Sequence, residues 1–136
     1  MPWDPKQAGS TAQADAQYGT PVIGGDALTS NVVPSSAKTT NASSSAVATV
    51  GADRVNWFVD VTAVSGTSPT MTLTLQWSHD NTNWFNGDPV ETFSAVSAAT
   101  KVVKQTNVKA PFARLVWVLG GTTPSFTFAA HVYLTN

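Results

Sequence analysis

The sequence predicts an all-β protein: an antiparallel β-sandwich, jelly-roll-like, carrying an extended N-terminal arm. Three observations predict it. Apolar residues from Ala46 onward recur with period two, the spacing of a strand with one buried face. Breaks rich in Gly, Pro, Ser, Thr and Asn fall between these runs at about 8–12-residue intervals, the rhythm of a sandwich or barrel. No segment carries a sustained helical period, although QAGSTAQADAQ has the composition for a turn or two of helix.

The division into two parts lies near Ser45. Residues 1–45 hold Trp3 and Tyr18 as their only aromatics, and few large aliphatics beyond Val22–Ile23 and Val32–Val33. The rest is mostly Gly, Ala, Ser, Thr, Asn and Pro, too little apolar surface to offset the entropy of ordering alone. A free tail is one reading. The other is an arm ordered on a partner, favoured by Trp3 in the stiff stretch PWDP, where an indole makes a good anchor. On that reading Trp3, Tyr18, Val22, Ile23, Val32 and Val33 are the partner-binding residues, and residues 46–136 form the sandwich.

Within the sandwich the first strand is VNWFVDVTAV. Val55, Trp57, Val59, Val61 and Ala63 share one face, Asn56, Asp60 and Thr62 the other, and Phe58 breaks the pattern. In MTLTLQWS, Met71, Leu73, Leu75 and Trp77 alternate with Thr72, Thr74, Gln76 and Ser78. Residues 91–96, 101–108, 112–119 and 125–134 are the remaining strands. Turn signals SGTSP, NGDP, KAP and GGTTP separate them.

The stretch LQWSHDNTNWF reads as a hairpin. With Asp80–Asn81 as a two-residue loop, or His79–Thr82 as a four-residue one, Trp77 lies opposite Trp84 and both indoles join the apolar face. Asn81 suits the left-handed backbone such turns need. An exposed pair would instead serve as a sugar-stacking platform. Trp77, however, is in phase with Leu73 and Leu75, which favours a core role.

Composition excludes several functions. Charged residues make up 11% of the chain and the net charge is −1, so no basic footprint for nucleic acid exists. Cysteine is absent, which removes disulfides, thiolate metal sites and a cysteine nucleophile. No apolar run reaches the roughly 18 residues of a membrane span, and the first residues lack the pattern of a secretory signal. The acidic residues Asp80, Asp88 and Glu91 miss the spacing of a calcium loop, because Thr82 and Trp84 occupy ligand positions. His79 and His131 lie far apart, and no serine sits in a nucleophile elbow. Asp60 is free to pair with Lys101, Lys104 or Arg114. An enzyme is not expected, nor a cofactor or metal.

Two segments carry a family resemblance. LQWSHDNTNWF is similar to the (Trp/Val)-Ser-x-Asp-(Gly/Asn)-x-x-Trp hairpin of small β-sandwich virion proteins of tailed bacteriophages. PFARLVWVLGGTTPSFTFAAHVYL resembles the closing segment of the same group, where the last two strands form a hairpin over a Gly-Thr-Pro loop. The likeness spans residues 55–134, and Asn81 stands where a glycine is usual. Within that group the chain looks most like a capsid decoration (cement) protein. The resemblance implies a homotrimer on the outer surface of the phage head, made in the host cytoplasm. It would clamp neighbouring subunits of the major capsid protein, with the arm lying on them. A carbohydrate- or receptor-binding sandwich on the virion or cell surface is the alternative, and a tail or connector component a third reading. Buried Trp57, Trp77 and Trp84 would favour cement; exposed ones would favour glycan binding.

Overall fold

The computed structural model describes residues 29–136, and every regular element in that range is a strand. These are β1 (Thr29–Lys38), β2 (Ala42–Ser43), β3 (Val47–Ala48), β4 (Arg54–Ser78), β5 (Phe85–Asn86), β6 (Thr100–Asn107) and β7 (Phe112–Thr135). All pairing is antiparallel. The fold is all-β and sandwich-like, as the period-two pattern requires.

Two strands dominate. β4 has 25 residues and β7 has 24, and they pair along their whole lengths, from Arg54↔Thr135 to Ser78↔Phe112. This ribbon folds back on itself. Trp117 and Phe128 both lie on β7, where an extended chain would hold them roughly 36 Å apart. Their ring centroids are instead 5.2 Å apart in an edge-to-face contact. One layer of the sandwich therefore contains the N-terminal half of β4 and the C-terminal half of β7, flanked by β6 and β1. The other contains the opposite halves, flanked by β2 and β3 on one side and β5 on the other. Backbone hydrogen bonds from residues 91–96 to Met71, Leu73 and Leu75 extend that second layer.

SGTSP and GGTTP are thus not loops between separate strands, and the last two predicted strands do not form a hairpin over Gly-Thr-Pro. The two segments face each other across the ribbon, with Ser65↔Ser125, Thr67↔Thr122 and Thr70↔Gly120 in register. They build its corner with matched geometry. Gly66 and Gly121 have φ of +117° and +104°, and Ser68 and Thr123 have φ of 49° and 46°. A Cβ at Gly66 would stand 2.7 Å from the Thr123 carbonyl oxygen, and one at Gly121 2.5 Å from that of Ser68. Each glycine makes room for the other strand's backbone. The turn chemistry was correctly located, but it bends a continuous ribbon instead of ending it.

The core lies between the layers. Val55, Trp57, Val59 and Val61 from one half of β4 meet Met71, Leu73, Leu75 and Trp77 from the other. β7 adds Ala113, Leu115, Trp117, Phe126, Phe128, Ala130, Val132 and Leu134. The apolar positions alternate as expected except at Ala63, which is exposed beside a register shift at Val61/Ala63, while Asn56 and Ser78, expected on the solvated face, are buried. Phe58, the exception in sequence, faces outward and is 43% exposed.

The boundary near Ser45 cuts through the sheet. β1 pairs with β7 from Thr29↔Tyr133 to Lys38↔Phe126, and β2 pairs with Trp117 and Val116. Val33 is only 3% exposed and belongs to the core, with Val32 packed against it. These valines serve their own fold. The reason is visible in β7: its C-terminal half needs a second neighbour, and NVVP is apolar enough to supply it. Lys38 closes this side, its ammonium 4.9 Å from the Phe128 centroid and 5.9 Å from that of Trp117.

Candidate functional site

The end of β4 carries the polar and aromatic residues singled out in sequence. The hairpin there exists, but in a different register. Trp77 pairs with Phe85 and Gln76 with Asn86, so Trp77 and Trp84 are not opposite each other. The loop is longer than the two or four residues expected, running from Ser78 to Trp84, and its odd length shifts the return strand by one residue. A one-residue shift reverses the face of every side chain.

Side chains of the loop hold it in this form. The Ser78 hydroxyl accepts from the backbone N–H of Asp80 at 3.2 Å and Asn81 at 2.8 Å. Asp80 Oδ1 accepts from the backbone N–H of Thr82 at 2.9 Å and Asn83 at 2.8 Å, and Oδ2 from the Asn83 amide at 2.8 Å. Backbone donation from Asn83 and Thr82, with the Asn83 side chain, holds the Asp80 carboxyl well below the usual carboxylate range. Asn81 adopts φ 62°, the left-handed conformation expected of it.

The register separates the tryptophans. Trp77 points inward and is 4% exposed. Trp84 is half-buried on the outer face, where the Arg114 guanidinium lies 4.5 Å from its ring centroid. Arg114 Nε and Nη2 donate to Gln76 Oε1 at 2.9 and 2.7 Å, and Gln76 Nε2 donates to Asn86 Oδ1 at 3.1 Å. Trp84, Arg114, Gln76 and Asn86 thus form one connected group on the outer face. Burial lowers the Arg114 pKa from its ordinary value.

On the inner side, Glu91 joins the two layers. Its Oε1 accepts from Trp77 Nε1 at 2.6 Å. Its Oε2 accepts from the Thr106 hydroxyl on β6 and from Lys109 Nζ, the latter at 2.9 Å. Lys109 Nζ also sits 5.5 Å from the Trp77 ring centroid. Burial acts to raise the Glu91 pKa. Hydrogen bonds from Lys109, Thr106 and Trp77, with the Lys109 charge, outweigh it and hold the carboxyl below its ordinary value. Glu91 and Asp80 therefore have separate structural tasks. The described residues contain no group of three or more His, Cys, Asp or Glu placed to hold a metal ion.

Elsewhere, Asp60 pairs with Lys101 at 2.8 Å, one of the pairings its position allowed. Trp57 is fully buried, and its Nε1 has no hydrogen-bond partner among the described residues. Trp117 donates to the Thr40 carbonyl at 3.1 Å. Trp3, Tyr18, Val22 and Ile23 lie outside the described residues. The group around Arg114 was not recognised in sequence. Its one signal was Arg114 on the polar phase of a strand, with Gln76 on the polar phase of another.

No family model matches the chain, and no curated protein matches it. Among solved structures, the crystal structure of PBSX exported protein XepA is similar, with a TM-score of 0.54 and 17% sequence identity. The match covers 85% of this chain and 39% of that one. At such identity the likeness establishes a shared sandwich fold, and the chain spans well under half of its neighbour's length.

Proposed function

We propose that this chain is a non-catalytic virion protein that decorates and stabilises the outside of a phage head, as a homotrimer clamping neighbouring subunits of the major capsid protein. The observation that carries this reading is the burial of Trp57 and Trp77, at 0% and 4% exposure; Trp84, the third tryptophan of that criterion, is half-buried on the outer face and does not add to it. Both are spent on a rigid body and neither serves as a ligand platform. A sandwich shared with a phage exported protein agrees with a phage-associated structural role.

The physical mechanism is attachment through the N-terminal segment. Val32 and Val33 are taken up by the sandwich, which leaves Trp3, Tyr18, Val22 and Ile23 as the anchors. At roughly 25 cal/mol per Å² of apolar area, a few anchors offset the ordering of part of a short segment. A trimer multiplies such weak contacts through effective concentration.

The test is co-sedimentation with heads of the phage that encodes the chain, using the full chain and a version lacking residues 1–28. Binding by the full chain and not by the folded truncation supports the reading. Failure of the full chain to bind heads overturns it.

A further inference from the structure

We infer that the free edge of β6 is the docking site for residues 20–24 (TPVIG) of a second copy of this chain, added as a further strand to the first layer. The inference rests on the homotrimer proposed above and names the contact that holds it together.

The central observation is the state of β6. It pairs with β4 and has no strand on its other side among the described residues. Half of its residues therefore direct N–H and C=O groups outward. Such edges are normally blunted by proline, a bulge or short length. β1, at the opposite edge of the same layer, has Pro34 and two register shifts. β6 has eight residues, no proline and an unbroken register with β4. A groove flanks it on each side. The outer one, about 280 Å³, is lined by Phe58, Asp60, Lys101 and Val103, with Phe58 43% and Val103 56% exposed. The inner one, about 260 Å³, opens between the layers and is lined by Val102, Lys104, Thr92, Phe93 and Ser94. An unpaired edge between two partly apolar grooves suits an added strand, whose backbone binds the edge while alternate side chains fill the grooves.

The chain itself contains a segment of the right kind. Its N-terminal part has two islands in which a β-branched apolar pair adjoins a proline: Val32–Val33 before Pro34, and Val22–Ile23 after Pro21. The first is built into β1, an edge strand of this same layer, with Val33 in the core and Val32 packed against it. The second has the composition to serve the other edge. Adjacent residues of a strand point to opposite faces, so one of Val22 and Ile23 meets Phe58 and Val103 while the other meets Val102 and Phe93. This gives Phe58, the break in the alternation of β4, a role on the outer face.

Reach and charge select a second copy as the donor. Thr29 begins β1 at the far edge of the layer, level with Tyr133, Asn56 and Gln105. A strand added beside β6 lies four inter-strand spacings away, about 19 Å. Residues 24–28 bridge at most roughly 21 Å when fully straight. That straight path runs through the sheet itself, so the chain's own Val22–Ile23 falls short. Nor does a second β6 fit. Each β6 carries Lys101 and Lys104 and no acid, so β6 against β6 gathers four cations on one ladder, whereas TPVIG is uncharged. The resulting contact joins different surfaces of two copies, the kind that closes into a ring such as a trimer.

The test is sedimentation velocity, with amide hydrogen exchange, on the full chain and three full-length variants. Val22→Ser/Ile23→Ser removes the inserted pair, and Val103→Glu puts a charge in the outer groove. Val118→Glu puts the same charge at an exposed site of the second layer. The expected result is a trimeric parent in which the β6 amides directed away from β4 exchange slowly. The first two variants dissociate at concentrations about tenfold higher or more and exchange those amides fast, while Val118→Glu matches the parent. Near-ultraviolet circular dichroism checks folding. The double-serine variant leaves residues 29–136 unchanged and decides should Val103→Glu fail that check. Three results overturn the inference: a monomeric parent, a trimer that Val22→Ser/Ile23→Ser leaves intact, or a dimer lost in Val103→Glu and kept in the double-serine variant. The second of these leaves the homotrimer standing on another contact, and head binding, measured separately, reports on the decoration reading itself.

Discussion

Trp77 Nε1 donates to Glu91 Oε1 at 2.6 Å, a contact within the second layer at the end opposite the corner. Through its other oxygen Glu91 reaches Thr106 on β6, so one carboxylate links the C-terminal end of β4 to the strand that flanks its N-terminal half. Only 13% of the Glu91 side chain is exposed, whereas Asp60 and Lys101 are 40% and 78% exposed. Glu91→Gln should destabilise the fold by about 1–3 kcal/mol, since it leaves Lys109 and the indole N–H poorly matched. Asp60→Asn should change stability by about 0.5 kcal/mol or less. Urea denaturation of the two variants beside the parent checks the contrast.

The same carboxylate gives a pH dependence with a definite sign. Its pKa in the folded chain lies below its ordinary value of 4.5. Its contribution is therefore complete above about pH 4.5 and is lost as pH falls through the lower, folded value. Denaturation midpoints should decline on acidification below that point, and Glu91→Gln should remove part of the decline. Asp80, also depressed, adds to the same slope, so some decline remains in the variant. An identical acid slope in parent and Glu91→Gln would contradict the assignment.

The corner makes a prediction that separates two causes of glycine dependence. Gly51 has φ +93° but open space around it, while Gly66 and Gly121 combine positive φ with carbonyl oxygens 2.7 and 2.5 Å from a would-be Cβ. Gly51→Ala should cost about 1 kcal/mol, from backbone strain alone. Gly66→Ala and Gly121→Ala should each cost an additional 1–3 kcal/mol or so, because the opposing backbone cannot yield as a flexible side chain would. Thermal melts of the three single variants test the order.

Much of this architecture was legible in the residues, and what was not has a physical cause. The alternation of Met71, Leu73, Leu75 and Trp77 identified a buried face because one such face must be dry. SGTSP and GGTTP were legible as places where the chain turns, yet glycine and proline mark a bend in a ribbon as readily as the end of a strand. The clue was the repetition itself: Gly-Thr-Ser-Pro on one strand and Gly-Thr-Thr-Pro on the other, with matching backbone angles. The hairpin register was missed for a subtler reason. Trp77 and Trp84 are spaced to suit an even loop, and only the side chains of Ser78 and Asp80, folded onto the backbone between them, decide in favour of an odd one. Once the register moves, Trp84 leaves the core and finds Arg114.

Trp57 and Trp117 provide a test of what a buried indole N–H is worth here. Both are core residues, but Trp57 Nε1 has no partner among the described residues while Trp117 Nε1 donates to the Thr40 carbonyl. Substitution by Phe opens a cavity at either site. At Trp57 it also removes an unsatisfied donor, whereas at Trp117 it strands an acceptor and releases the segment joining β1 to β2. Trp117→Phe should therefore be more destabilising than Trp57→Phe by about 1–2 kcal/mol. Equal costs would mean that the Trp117 hydrogen bond contributes nothing net.

Truncation distinguishes the part of the N-terminal segment that builds the sandwich from the part proposed to reach a partner. Removal of residues 1–28 leaves β1, Val33 and the Thr40 and Asn41 contacts in place, and the shortened chain should keep its melting temperature to within a few degrees. Removal of residues 1–45 strips β1 and β2 from β7 and exposes Phe128, Ala130 and Val132, and that version should unfold or aggregate. Head binding is the other readout. With 11% charged residues and apolar anchors, attachment by the full chain should persist from about 50 to 500 mM salt, since screening acts on charges and leaves apolar burial intact. Release at moderate salt would show that ionic contacts, and not Trp3, Tyr18, Val22 and Ile23, carry the attachment.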